Sequence, residues 1–180
     1  MTNTENDLAK FFPEDDYQIP TTSNYMKFKE GKNPFRVLSS AVVGYEYWRI
    51  GSDGKPEPVR SKEAFPCVPN DIQLDEKGNP TRINHFWAFI VWNYNDRRVQ
   101  ILQLTQKGIM KYIKSLVDNP KWGLPTGYDI VVTREGTGLD TEYSVIADPH
   151  SEIDPEIAQQ AKERIINLEK LFIGEDPFSE

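Results

Sequence analysis

The chain is 180 residues long, 38% hydrophobic and 12% aromatic, with a net charge of −7. That supports one domain with tails and excludes wholesale disorder. No apolar run approaches the ~20 residues of a membrane-crossing helix, and the polar, acidic stretch from Met1 to Lys10 matches neither a secretory signal nor a transit peptide. The single cysteine, Cys67, cannot form an internal disulfide and suits a reducing cytoplasm. With Cys67, His85 and His150 as the only soft ligands, a Cys/His zinc site cannot be assembled, and no metal or cofactor is expected.

The charge is unevenly spread. Residues 1–21 carry one Lys against five acids, a balance of −4. Residues 22–134 carry 17 Lys and Arg against 11 acids, or +6, and residues 135–180 carry three against 12, or −9. A basic body between acidic ends attracts phosphate over about a Debye length, ~10 Å, whatever the total.

In chain order, 1–22 reads as an acidic flexible arm. A long strand is expected from Asn33 to Arg49, bent at Gly44, and a shorter one from Val59 to Phe65. Residues 66–82, rich in Pro, Asn, Asp and Gly, form a surface excursion. Asn84 to Tyr94 and Arg97 to Leu104 flank an Asn95-Asp96 turn and make a β-hairpin. Thr105 is placed to cap a helix to Asp118, with Ile109, Ile113, Leu116 and Val117 on one face, and Asn119-Pro120 stops it. A second hairpin joins Gly127–Arg134 to Thr141–Ala147. Asp154 and Pro155 start an amphipathic helix whose stripe is Ile157, Ala161, Ile165, Leu168 and Phe172. The order predicts a mainly β fold, a five-stranded OB-type antiparallel barrel with a helix between strands three and four. The domain is expected over 23–150, with a C-terminal helix over 151–173 packed on the barrel and an acidic tail over 174–180.

A binder of single-stranded nucleic acid needs flat side chains for stacking and cations for phosphate. The hairpin turn pairs Trp92 with Val99, Ile90 with Ile101 and Asn93 with Arg98. Phe86, Ala88, Ile90 and Trp92 then read as core, while His85, Trp87, Phe89, Asn93, Arg98 and Gln100 share the other face. A one-residue change in the turn would swap those faces. Tyr45, Tyr47 and Trp48 on the first strand, Arg60 and Lys62 on its neighbour, and Lys27 before the barrel complete the candidate surface.

Asn24 to Leu38, the run from His85 to Asn95, Val99 to Leu104 and Gly127 to Arg134 together resemble the replication single-stranded DNA-binding proteins of tailed bacteriophages. The resemblance covers about 24–148, with motifs that are individually loose. It implies an OB barrel, sequence-independent binding in the host cytoplasm, a role in DNA replication or recombination, and no catalysis. It also implies an acidic tail that contacts phage or host replication proteins and competes for the DNA groove, a description that Glu175, Asp176, Phe178 and Glu180 fit. Some relatives carry a zinc ribbon in the excursion; here that segment holds only Cys67.

No phosphate loop, nucleophile elbow or paired metal-binding histidines appear, so no enzyme is expected. The acids and histidine at Asp148, His150, Glu152 and Asp154 sit where a helix N-terminus favours acidic groups. Two further readings stay open: an OB module for protein–protein contact, and a single-stranded RNA binder, since stacking ignores the sugar.

Overall fold

The computed structural model describes residues 23–180; the arm assigned to 1–22 lies outside them. The strands are β1 (Gly31–Val37), β2 (Val42–Ile50), β3 (Pro56–Ser61), β4 (Asn84–Asn93), β5 (Arg98–Leu104), β6 (Asp129–Glu135) and β7 (Glu142–Ala147). The α-helices are α1 (Lys107–Asp118) and α2 (Pro155–Glu163). All seven strands belong to one antiparallel sheet in the order β3-β2-β4-β1-β6-β7, with β5 paired to β4. The sheet stays open where the element order predicts a closed barrel, because β5 and β7 do not pair.

The long first strand exists as β1 and β2, which both pair along one edge of β4 through Arg36↔Trp92 and Val42↔Ala88. Its bend falls at 38–41 and not at Gly44. There the Ser39 hydroxyl accepts from the Ile90 amide at 2.9 Å, replacing a lost ladder bond. Gly44 instead permits close approach, since a Cβ there would lie 2.5 Å from the Ser61 carbonyl oxygen and 2.7 Å from the Phe172 ring. The first hairpin has the expected register, with Trp92 opposite Val99 and Asn93 opposite Arg98. Its loop runs from Tyr94 to Arg97, and Arg97 takes the left-handed φ of 50° that the reversal requires.

Both faces of the sheet are covered. On one, Phe35, Val37, Phe89, Val91, Leu102, Leu104, Ile130 and Val132 meet Ile109, Met110, Ile113 and Leu116 of α1. The N-cap of α1 is Gln106, with no side-chain cap bond, so the Thr105 cap is not used. Val145 and Ala147 of β7 join the same core, so α1 bridges the two strands that do not pair. On the opposite face, Trp92 and Val99 pack on Ile157 of α2. Farther along, Phe86, Ala88 and Ile101 pack on Leu168 and Leu171. We refer to these as the helix face and the tail face.

The C-terminal helix is shorter than its periodicity predicts. It ends at Arg164 in extended backbone, and a 3₁₀ turn over Leu168–Ile173 follows, its Asn167 side chain accepting from the Glu169 amide. A straight helix would carry Ile165 toward the sheet; the break leaves Ile165 72% exposed and turns Ile166 inward. Rephasing lets one segment follow a twisted sheet, reaching Val99 at one end and Phe86 at the other. The last seven residues continue this packing. Pro177 is buried, its carbonyl accepts from the Asn167 amide at 2.9 Å, and the Phe178 ring lies against Tyr25 and beneath Arg164.

Candidate nucleic-acid interface

Cross-strand pairing places Val43 beside Trp87 and Tyr45 beside His85 on the helix face, beyond the end that α1 covers. Trp87 is half-buried, packing against the core with one side. A cavity of about 430 Å³ opens next to it, within the size range of small-ligand sites, ~300–1,000 Å³. Trp87, Phe89, Val37 and Val43 form its sheet side, Ile113, Lys114, Val117 and Asp118 its helix side, and Leu124 to Thr126 its far wall. Val43 is 47% and Leu124 72% exposed, so the lip is apolar and open to solvent.

The far wall is held by Arg36, a guanidinium only 1% exposed. It donates to the Thr126 and Ser151 carbonyls at 3.2 and 3.0 Å and pairs with Asp129 at 2.6 Å. The Asp129 carboxylate also accepts from the Tyr94 hydroxyl at 2.9 Å. Burial, and then that carboxylate, push the Tyr94 pKa up to about 12. These bonds make the cavity rim a fixed shape.

The other candidate residues are distributed differently. Phe89 is at the cavity floor, 3% exposed, and Tyr45 tilts against His85 with ring centroids 5.0 Å apart. Asn93 and Gln100 are interior. The Asn93 amide donates to Gln100 Oε1 at 2.8 Å, and Gln100 donates to the Ser23 carbonyl at 2.8 Å, so hydrogen bonds within the chain occupy both. Arg98 is half-buried at the hairpin end, opposite Asn93. Tyr47 is buried against Phe65, which follows β3, and its hydroxyl donates to Asp71 of the excursion. Burial first, then Asp71, raise the Tyr47 pKa; the Tyr47 bond first, then Arg49, lower that of Asp71. Trp92 is buried beneath α2. Lys27 is exposed beside the outer edge of β5, next to the Met26–Ile101 backbone bond.

The tail face holds Trp48, Arg60 and Lys62. Trp48 is 38% exposed there. Arg60 pairs with buried Glu46 at 2.8 Å and lies over the Phe86 ring, and Lys62 pairs with Glu169 at 2.6 Å and lies over Phe172. The chain's own C-terminus thus occupies this surface. Phe178 is part of that packing, while Glu175, Asp176 and Glu180 remain exposed. Residues the hairpin pattern did not single out are Val43, Lys114, Val117 and Leu124. Val117, expected on the core stripe of the helix, is 39% exposed and lines the cavity, and the amphipathic pattern of 107–118 could have marked Lys114 beside that stripe.

With the geometry in place, comparison with known proteins adds one relative. The chain is 26% identical over 139 residues to a "Probable ssDNA-binding protein" of Escherichia phage T5, a match covering 67% of this chain. It spans about half of that protein's length, 53%. No family model and no solved structure matches the chain. Among the described residues, no helix is long and apolar enough to cross a membrane, and no group of three or more His, Cys, Asp or Glu side chains is arranged to hold a metal ion. His150 is stacked on Trp122 with its Nε2 at 2.7 Å from the Trp122 carbonyl, and Asp154 caps α2 by accepting from the Glu156 amide.

Proposed function

We propose that this protein binds single-stranded DNA without sequence preference, through the open end of the helix face, and carries out no catalysis. The observation that carries this reading is the exposed apolar lip around Trp87. An indole face bordering a solvent-open cavity, with Lys114 at the rim, provides stacking for bases and charge for phosphates. The phage relative supports the same reading. Tyr45 and His85 extend the aromatic surface from Trp87, Phe89 floors the cavity beside it, and the fold is read as an open form of the OB order of bent strand, hairpin, helix and hairpin.

In this reading the protein serves phage DNA replication or recombination in the host cytoplasm, and exposed Glu175, Asp176 and Glu180 meet replication proteins. Titration with dT oligomers tests the binding. It should quench tryptophan fluorescence and weaken as salt rises, by a slope of ~0.7 per phosphate neutralised. Salt-independent behaviour or no binding would favour a protein-interaction module. Stronger binding to rU than to dT would make the strand RNA.

A further inference from the structure

The outward side of α1 carries a charge pattern that the Trp87 surface leaves unexplained. Residues 105–124 contain four lysines, at 107, 111, 114 and 121, and a single acid, Asp118, in a chain whose net charge is −7. Spacings of four and three place Lys107, Lys111 and Lys114 on one side of the helix. Ile109, Ile113 and Leu116 take the core side, so the lysines face solvent, and all three are exposed. At ~1.5 Å rise per residue the row extends over about 10 Å.

Among the described residues, Lys107 and Lys111 form no ion pair. Lys114 pairs with Asp118 at 2.5 Å, but the two side chains are 65% and 59% exposed. An exposed pair of this kind is screened by solvent and gives way to a phosphate. Lys114 also lines the cavity beside Trp87, so the row starts at the aromatic surface and leads away from it.

We propose that this lysine row is a phosphate path: a single strand stacks at Trp87, crosses the cavity mouth and runs its backbone along the outer side of α1. The proposal rests on the single-strand reading above. Its occupant is a polyanionic backbone, argued from charge complementarity and from continuity with the cavity. An acidic protein segment is the rival occupant, and the test separates the two.

The test compares two double variants with equal loss of charge. Lys107→Ala/Lys111→Ala removes the middle and far end of the row. Lys55→Ala/Lys77→Ala removes exposed lysines from the β2–β3 turn and the excursion. Fluorescent dT oligomers are titrated over a range of salt after unfolding curves show both variants folded. The α1 variant should lower the slope of log affinity against log salt by about 1.4, from ~0.7 per contact, and the control by less than half of that. A parental slope in the α1 variant, or equal losses in both, overturns the path while leaving DNA binding at Trp87 intact. If the parent protein does not bind dT, the single-strand reading falls and the path with it.

Discussion

Replacing Trp87 with Leu tests the binding surface most directly. The substitution keeps an apolar side chain opposite Val43 and Leu104 but removes the flat face that borders the cavity. Stacking of one base on an aromatic side chain is worth ~1–3 kcal/mol. At ~1.4 kcal/mol per factor of ten, affinity for dT should fall about 5- to 140-fold. Trp87 is half-buried, so the same change should cost about 1–2 kcal/mol of stability. Urea unfolding is therefore measured first, and binding is read by anisotropy of a labelled oligomer because the variant loses one of the four tryptophans. Trp48→Leu is the matched control, since Trp48 lies on the tail face beside Pro58 and should leave affinity unchanged. A folded Trp87→Leu protein with parental affinity, together with weakened binding in Trp48→Leu, would place the strand on the opposite face.

Two further outcomes concern stability. Arg60→Ala strips the guanidinium from Glu46, whose side chain is 4% exposed, leaving it with the Gln103 amide; breaking such a buried pair should lower unfolding free energy by about 3 kcal/mol in urea. Tyr94 has its folded pKa raised from 10.0 to about 12. Its contribution is therefore fully present below pH 10 and lost as pH climbs toward 12, so Tyr94→Phe should flatten the fall of the unfolding midpoint across that alkaline window.

The hairpin register was legible because the Asn95-Asp96 turn sets Trp92 opposite Val99 and Ile90 opposite Ile101, which puts the apolar residues of both strands on one face. What alternation does not reveal is whether the second face is wet. His85, Trp87, Phe89, Asn93 and Gln100 do share a face, but Phe89 lies in the core beneath α1, Asn93 and Gln100 are buried at the hairpin end, and the Trp87 end stays open. Asn93 and Gln100 look like surface amides in a strand pattern; their burial depends on Asp96 and on the Ser23 carbonyl, partners distant in sequence or placed by the loop. The cations were misleading for a related reason. Arg60 and Lys62 carry the right charge, but Glu46 and Glu169 meet them after folding, whereas the lysines of α1 keep their exposure because the helix has only one acid to offer. The open sheet was not visible either, since pairing of β5 with β7 depends on how far α1 separates them.

The C-terminal residues give the last test. Their composition predicts a mobile acidic tail, yet Pro177 is buried and Phe178 packs on Tyr25, with Arg164 4.8 Å from its ring centroid. Lys170 holds the end by donating to the Ser179 carbonyl and hydroxyl at 2.9 and 2.8 Å. Burying a Phe side chain fully is worth ~1.5–3 kcal/mol, so partial burial of Phe178 with burial of Pro177 should contribute about 2 kcal/mol. Deleting 174–180 should remove that amount, and Phe178→Ala should reproduce most of it in urea unfolding. The tail lies on the face opposite the cavity, so dT affinity of the folded truncated protein should equal that of the parent at low salt. Superimposable unfolding curves would show that the tail is not clamped. Tighter dT binding by the truncated protein would show instead that its acids reach the groove, and the separation of the two faces would then have to be given up.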